Sequence, residues 1–409
     1  MLAGRGVAVV ATALAMWLAA RLLGSPGLEV VAIGIGALPL LAAGAAKRGA
    51  RRLLVHRRLS EVRASPGARV NVSLELENRG PVATSFLLLE DRLPTPLGRA
   101  ARLVIGGIRP GAREQASYSL VPQARGRYVL GPLVVDASDP FALTRLRLEF
   151  DERDELLVSP EIEDLGAAPD PSSGPSFGAS RARQLFRTGE EYYTMRPYQE
   201  GDDLRRIHWP SVARTGELMI RQDESTRRAS GLVFLDTRAA ALGRTHTPAF
   251  ERAVSVAASI GILLSRRGFV LRLGTTELPA AALSEDRFLD ALTGISHAEA
   301  RSLGPALAHL RAGSSPDTSL VLVSAPPVPQ ELAPLIRAGA GFGQKLGVLV
   351  YPNDPDRLPP ERQAQLEGRA TQARLSLTRA GWDVIVLPPS MRLVERWHSP
   401  LERPLARTV

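Results

Sequence analysis

The sequence predicts a multi-domain protein in three successive parts: an N-terminal two-helix transmembrane hairpin, a small antiparallel β-sandwich and a doubly wound α/β domain. Three observations lead to this prediction. Two long apolar runs open the chain, short alternating strands occupy residues 60–166, and strands alternate with amphipathic helices over residues 230–390. With 409 residues the chain exceeds one ordinary domain and has room for two or three.

The apolar runs cover residues 7–23 and 28–46, and each approaches the roughly 20 helical residues that cross about 30 Å of hydrocarbon. Between them the sequence Gly-Ser-Pro-Gly predicts a turn, because glycine and proline both discourage a continuous helix. A cleaved signal peptide starting at Arg5 is the alternative for the first run, but a second run follows directly and favours a hairpin. Three glycines would let the two helices approach closely: Gly34, Gly36 and Gly44.

A basic cluster follows the second apolar run and carries much of the formal net charge of +9: Lys47, Arg48, Arg51, Arg52, Arg57 and Arg58. The positive-inside rule places such a cluster in the cytoplasm. Residues 1–59 are therefore predicted to be a hairpin with a basic stretch that faces anionic lipid, in a cell membrane, with the later domains cytoplasmic.

The composition excludes several kinds of site and partner. Cysteine is absent, which excludes disulfides, thiolate metal sites and cysteine nucleophiles. Aromatic residues are only 5% of the chain, whereas nucleic-acid binders interleave basic with aromatic residues, so no nucleic-acid partner is expected. The Walker-type phosphate loop is also missing, and we expect no cofactor.

The predicted β-sandwich shows alternation of apolar and polar residues, as in Val70, Val72, Leu74 and Leu76. Short strands at this spacing without helical stretches favour an antiparallel sandwich. The sequence Asp139-Pro140-Phe141 predicts a turn with a buried aromatic ring. Further strands are predicted at residues 85–90, 101–105, 114–121, 127–130, 133–137 and 145–150.

A Pro-, Ser- and Gly-rich stretch at 167–180 predicts a flexible linker, and residues 181–229 then crowd acidic, basic and aromatic side chains together. Glu190, Asp202, Asp203 and His208 could converge as an acid–base or metal group. Nearby arginines could instead neutralise every carboxylate in a structural or docking network, which is the more frequent arrangement. The candidate residues of this segment are Arg187, Gly189, Glu190, Tyr198, Gly201, Asp202, Asp203, Arg205, Arg206, His208, Trp209, Arg214 and Gly216.

The C-terminal part, residues 230–390, alternates buried strands with amphipathic helices, which predicts a doubly wound sheet whose ligands bind beyond the carboxyl ends of the strands. Residues 391–409 are predicted to be a tail. Strands are predicted at 231–236, 269–273, 319–323, 346–351 and 384–387, and helices at 248–267, 285–292, 305–312, 329–339 and 360–380.

The string from Tyr198 to Trp209 (YQEGDDLRRIHW), followed by Ala213 to Glu217 (ARTGE), resembles the signature of the family named "domain of unknown function 58". Arg125 to Pro132 (RGRYVLGP) is similar to the upstream β-domain of that family. The resemblance implies a C-terminal domain like that of von Willebrand factor A. It also implies an association with AAA+ ATPases of the MoxR type and with membrane-protein clients.

In von Willebrand A domains the first strand opens an Asp-x-Ser-x-Ser motif, whose oxygens hold Mg²⁺. Here the residues are Asp236, Thr237, Arg238, Ala239 and Ala240, so both serine positions are lost. The metal site is therefore expected to be degenerate, with Asp236 paired to Arg238 and no bound metal.

The function predicted from these observations is that of a non-enzymatic, membrane-anchored adaptor that binds a MoxR-type AAA+ ATPase or its client. One alternative is a hydrolase that uses Asp202, Asp203 and His208. A second alternative is a lipid-surface scaffold whose main functional part is the basic stretch after the hairpin. The sequence leaves the oligomeric state and the client open.

Overall fold

The structure is a computed structural model that describes residues 3–50, 52–139, 141–166, 193–199, 202–204, 207–223 and 229–397. The chain divides into two compact units, Met1–Ser159 and Pro160–Val409. The predicted linker at 167–180 lies outside the described residues.

Two helices open the first unit: α1 (Gly4–Leu23) and α2 (Pro26–Ala50). Gly24 ends α1 in the left-handed conformation, φ +61°, which glycine adopts without steric cost. Both helices are long and apolar enough to cross a membrane. Small residues of α1 face inward: Gly6, Ala13 and Ala20.

Close packing between α1 and α2 is centred on one of the three predicted glycines. A Cβ atom on Gly36 would lie 3.5 Å from the Cβ of Ala13. Gly34 and Gly44 would meet nothing within 4 Å, so the prediction of close approach holds for Gly36 alone.

The β-strands of the first unit form three sheets, with orders β1-β3-β6, β2-β10-β7 and β5-β4-β8-β9. Every second residue of the strand Val70–Asn78 points into the core, and Val70, Val72, Leu74 and Leu76 are fully buried as predicted. The strands are β1 (Leu53–Leu59), β2 (Arg63–Ala64), β3 (Val70–Asn78), β4 (Leu87–Asp91), β5 (Ala101–Ile105), β6 (Arg113–Leu120), β7 (Gly126–Leu130), β8 (Leu133–Ser138), β9 (Arg145–Phe150) and β10 (Asp154–Val158).

Two expectations about this unit were wrong. Arg57 was assigned to a lipid-facing basic cluster, but the alternation of β1 turns its side chain into the core. There its guanidinium binds Asp91 at 2.6 Å and Asp154 at 2.8 Å. The ring of Phe141 was predicted to be buried, but it is 69% exposed.

The second unit contains a six-stranded sheet of order β15-β14-β13-β16-β17-β18, in which only the edge strand β15 runs antiparallel. A separate two-stranded ribbon pairs β11 with β12. The strands are β11 (Tyr193–Pro197), β12 (Met219–Asp223), β13 (Ser230–Leu235), β14 (Val270–Thr275), β15 (Ala281–Ala282), β16 (Thr318–Ser324), β17 (Lys345–Val350) and β18 (Asp383–Leu387). The helices are α3 (Trp209–Thr215), α4 (Ala239–Leu242), α5 (Pro248–Arg266), α6 (Glu285–Gly294), α7 (Gly304–Ala312), α8 (Pro329–Gly339), α9 (Pro360–Arg379) and α10 (Leu393–Trp397).

Helices cover both faces of the six-stranded sheet. Val233 and Leu235 of β13 share a core with α5, α6 and α10, whereas Leu232 and Phe234 share another with α7, α8 and α9. The length and composition of α5 would also suit a membrane span, but most of it is buried in this core.

The expectation that residues 391–409 form a tail was wrong at its start. Leu393 and Trp397 of α10 are fully buried in the core beside α5. Burial of these two large apolar side chains draws the segment onto the sheet.

Candidate functional site

The carboxyl end of β13 carries a buried ion pair. Asp236 follows the strand and is fully buried. The guanidinium of Arg238 donates to its carboxylate from Nε at 2.9 Å and from Nη2 at 2.8 Å. The backbone amide of Arg238 donates to the same carboxylate at 3.1 Å. The expected pairing of Asp236 with Arg238 is thus present.

Two further residues complete this carboxyl-edge cluster, which we define as Asp236, Arg238, Thr276 and Glu331. Glu331 lies in the first turn of α8 and accepts Nη1 of Arg238 at 2.5 Å. The hydroxyl of Thr276, just after β14, donates to Asp236 at 3.2 Å. Burial lowers the pKa of Arg238, but the hydrogen bonds to Asp236 and Glu331 outweigh it and raise that pKa above its ordinary value.

The cluster does not fit a Mg²⁺ site of the von Willebrand type. Mg²⁺ needs several free oxygen ligands in near-octahedral geometry. The carboxylate of Asp236 is instead engaged by the guanidinium, and position 240 offers only a methyl group. Among the residues that the structure describes, no group of three or more His, Asp or Glu side chains could hold a metal ion.

The second candidate site is the docking segment, which we define as residues 193–223. This segment begins with β11 and ends with β12, which pair as an antiparallel ribbon, and α3 lies between the two strands in sequence. Backbone hydrogen bonds join the intervening residues to the start of β12 and the residue before it. The amide of His208 donates to Met219 at 2.9 Å, and that of Tyr198 donates to Leu218 at 2.8 Å. Ile207 also bridges to the buried Ile220.

Several predicted residues of this segment shape its backbone. Asp202 accepts the amide of Gln199 at 2.9 Å and so closes a turn. His208 is the N-cap residue of α3, and its Nδ1 lies 2.9 Å from the hydroxyl of Ser211. Gly216 ends α3 at φ +74°, the left-handed conformation that favours glycine. The helix α3 begins at Trp209.

Exposed apolar side chains accompany these turn residues. Leu204 is 60% exposed, Trp209 is 65% exposed and Leu218 is 42% exposed. Arg214 is exposed too. The other predicted residues of this segment lie outside the described residues: Arg187, Gly189, Glu190, Gly201, Arg205 and Arg206.

Sequence reasoning missed Thr276 and Glu331 in the carboxyl-edge cluster. It also missed Glu163, whose fully buried carboxylate accepts Arg252 at 2.8 Å and the amide of Val394 at 2.8 Å. An isolated glutamate gives no sequence signal of burial, because burial depends on a distant cation.

Comparison with solved structures shows only weak likeness. The CARDB domain of a Pyrococcus furiosus protein, solved in complex with di-metal ions, matches 26% of this chain and 86% of its own, at 13% identity and a TM-score of 0.21. The alkylpurine DNA glycosylase AlkC of Pseudomonas fluorescens, bound to DNA, matches 31% of this chain and 40% of its own, at 15% identity and a TM-score of 0.18. Scores this low carry no argument about fold or function.

Comparison with known sequences is more informative. "Uncharacterized protein YeaD" of Bacillus subtilis (strain 168) is 26% identical over 218 residues. That alignment covers 51% of this chain and 52% of YeaD, so the chain spans about half the length of this relative. Over residues 194–380, which include most of the docking segment and the carboxyl-edge cluster, the chain matches the family described as "Protein of unknown function DUF58".

Proposed function

We propose that this protein is a membrane-anchored, non-enzymatic adaptor whose docking segment binds a protein partner. In this proposal α1 and α2 cross a cell membrane, and the β-domain and the α/β unit lie in the cytoplasm. The basic residues that follow the second apolar run support this orientation, because cytoplasmic flanks are enriched in Lys and Arg.

The observation that carries the proposal is the exposure of Leu204 and Trp209. Large apolar side chains held on an ordered polar segment are typical of protein-binding surfaces, and Trp is enriched among the residues that dominate binding energy. Near these side chains, the carboxylate of Asp202 accepts the amide of Gln199, and the amide of His208 donates to the carbonyl of Met219. The segment therefore offers an exposed apolar anchor for a partner.

The proposed partner is an AAA+ ATPase of the MoxR type, or a membrane protein on which that ATPase acts. This choice rests on the resemblance of the docking segment to the family signature. The chain itself has no Walker-type phosphate loop, so ATP hydrolysis would belong to the partner.

The α/β unit is, in this proposal, a von Willebrand A-like domain that works without metal. Its five neighbouring parallel strands and the acidic residue at the end of β13 support the assignment. Arg238 supplies a fixed positive charge beside Asp236, where a von Willebrand A domain holds a cation. Partner binding at this edge then needs no added ion.

The second candidate is a hydrolase. Two observations favour it: Nδ1 of His208 contacts the hydroxyl of Ser211, and Gly174, Ser176 and Gly178 fit the Gly-x-Ser-x-Gly pattern of a nucleophile elbow. Against it, His208 and Ser211 are only three residues apart at the start of α3, so their contact is a local one. Residues 174–178 lie in the Pro- and Ser-rich linker, outside the described residues.

Binding of the purified full-length chain, in lipid nanodiscs, to a MoxR-type ATPase from the same organism tests the adaptor proposal. A Leu204→Ala, Trp209→Ala double variant should bind about tenfold more weakly or worse, because it removes the exposed anchor. Val270→Ala is the matched control, since Val270 is 36% exposed at the amino end of β14, and it should bind as the parent does. Equal binding by the parent and the double variant would refute the proposal.

The hydrolase candidate makes a separate prediction. His208→Ala should abolish turnover of ester or peptide substrates while leaving ATPase binding unchanged, because this candidate uses His208 as a catalytic residue together with Asp202 and Asp203. The adaptor proposal predicts no turnover by the parent chain in the same assay.

A further inference from the structure

The turn between β8 and β9 lies against the first residues of α1. The amide of Ala3, the N-cap residue of α1, donates to the carbonyl of Leu143 at 2.8 Å. From Gly4 the helix continues directly into its apolar run. The turn therefore lies at the level where α1 would enter the hydrocarbon of a membrane.

The side chain of Asp139, a residue that is only 3% exposed, accepts several hydrogen bonds in this turn. Its carboxylate accepts the amide of Phe141 at 2.9 Å, the amide of Thr144 at 2.5 Å and the hydroxyl of Thr144 at 2.9 Å. Ala142 adopts φ +55° within it. The hydrogen bond from its amide to Asp139 thus holds Phe141, whose side chain is 69% exposed.

A second exposed aromatic lies at the same end of the sheet. The carbonyl of Phe86, which precedes β4, accepts the amide of Ser138 at 3.3 Å, and the Phe86 side chain is 66% exposed. Arg5 in the first turn of α1 and Arg145 at the start of β9 are exposed as well. Aromatic rings beside arginines suit the boundary between lipid headgroups and acyl chains.

We propose that Phe141, with Phe86 at the same end of the sheet, inserts into the headgroup region of the membrane that α1 and α2 cross. The occupant of this apolar patch is lipid, since the patch is continuous with the entry point of α1. The insertion gives the β-domain a third membrane contact besides the two helices and fixes its orientation on the surface. This inference rests on the proposed membrane insertion of the hairpin.

Single-cysteine variants test the inference cleanly, because the native chain contains no cysteine. The full-length Phe141→Cys variant carries an environment-sensitive fluorophore in nanodiscs of phosphatidylcholine and phosphatidylglycerol. The label should show blue-shifted emission and be quenched by nitroxides on the lipid headgroups, with little quenching by aqueous iodide. The exposure of Phe141 makes misfolding of this variant a minor concern.

Two control positions separate the outcomes. Asp151→Cys places the label on an exposed side chain after the opposite end of β9, roughly 20 Å along the strand, and iodide should quench it. Leu14→Cys places it in the middle of α1, where deep lipid nitroxides should quench it. Lipid quenching at position 14 with iodide quenching at 141 would overturn the insertion of the turn while leaving the anchor intact. Loss of lipid quenching at position 14 would instead overturn the membrane hairpin, and equal lipid quenching at 141 and 151 would refute a specific role for the turn.

Discussion

Arg238 shows how a single side chain can decide the chemistry at the carboxyl edge of a sheet. Its side chain is 7% exposed and forms ion pairs with both Asp236 and Glu331. Two carboxylates in a buried place repel one another, and the guanidinium between them removes that cost. At this scale the carboxylate of Asp236 is closed to a metal ion, because the guanidinium of Arg238 occupies it.

Removal of Arg238 should therefore destabilise the α/β unit strongly. Arg238→Ala leaves the fully buried Asp236 without its cation, which should lower the free energy of unfolding by about 3–5 kcal/mol. Urea unfolding of the full-length chain in micelles, followed by fluorescence of the buried Trp382 and Trp397, measures the change. Arg357→Ala is the control, since that side chain is 83% exposed and its loss should change stability little. A small effect of Arg238→Ala would contradict the assigned role.

The carboxylate of Asp139 makes a contribution to the stability of the fold that depends on pH. Burial raises the pKa of Asp139, but the hydrogen bonds from Thr144 and Phe141 outweigh it and lower that pKa below its usual range. A carboxyl group whose pKa is lower in the folded state stabilises the fold above its unfolded pKa, near 4, and this stabilisation is lost as pH falls through the folded value.

Asp139→Asn should thus be less stable than the parent at pH 7 and lose less stability on acidification. Thermal unfolding of both chains between neutral and acidic pH measures this difference. Parallel stability curves for the two chains would show that the charge of Asp139 does not matter.

At the scale of elements, the pattern of apolar and polar residues predicted the strands of the α/β unit well. The buried strands β13, β14, β16, β17 and β18 all lie within one or two residues of their predicted positions, because continuous apolar runs between amphipathic helices leave few alternatives. The strand β1 was missed, since its seven residues include His56, Arg57 and Arg58 and look basic rather than alternating. The ribbon strand β11 was missed because it lies in the crowded polar segment.

Only part of the carboxyl-edge cluster could be predicted, because some of its contacts join residues that are far apart in the sequence. Asp236 and Arg238 are two residues apart, so their pairing follows from local sequence. Glu331 lies 93 residues from Arg238 and reaches it because β16, which precedes α8, pairs with β13. Contacts that depend on strand order have no local signature.

The hairpin of α1 and α2 allows a direct test of packing between elements. In isolated membranes, an Ala13→Cys, Gly36→Cys double variant should form an intramolecular disulfide under mild oxidation. The two Cβ atoms would lie 3.5 Å apart, within the range of disulfides. Ala13→Cys with Gly34→Cys is the control and should not cross-link, because a Cβ on Gly34 meets nothing within 4 Å. Equal cross-linking of both pairs would contradict the described helix packing.

At the scale of the whole molecule, the proposed account joins a membrane anchor, a β-domain and an α/β unit with an exposed docking segment. In this account α1 and α2, which are long and apolar enough to span a membrane, serve as the anchor. Within the docking segment, Leu204, Trp209 and Leu218 are exposed to solvent. An adaptor needs these two properties, a fixed location and a preorganised binding surface.

Site-specific photo-crosslinking in native membranes tests this account most directly. A photoreactive amino acid at Leu218, which leaves the anchor Trp209 intact, should cross-link to a MoxR-type AAA+ ATPase, and the same group at Val270 should not. Addition of Trp209→Ala to the Leu218 variant should abolish the adduct. Absence of an ATPase adduct at Leu218, or equal adducts at Leu218 and Val270, would contradict the adaptor account.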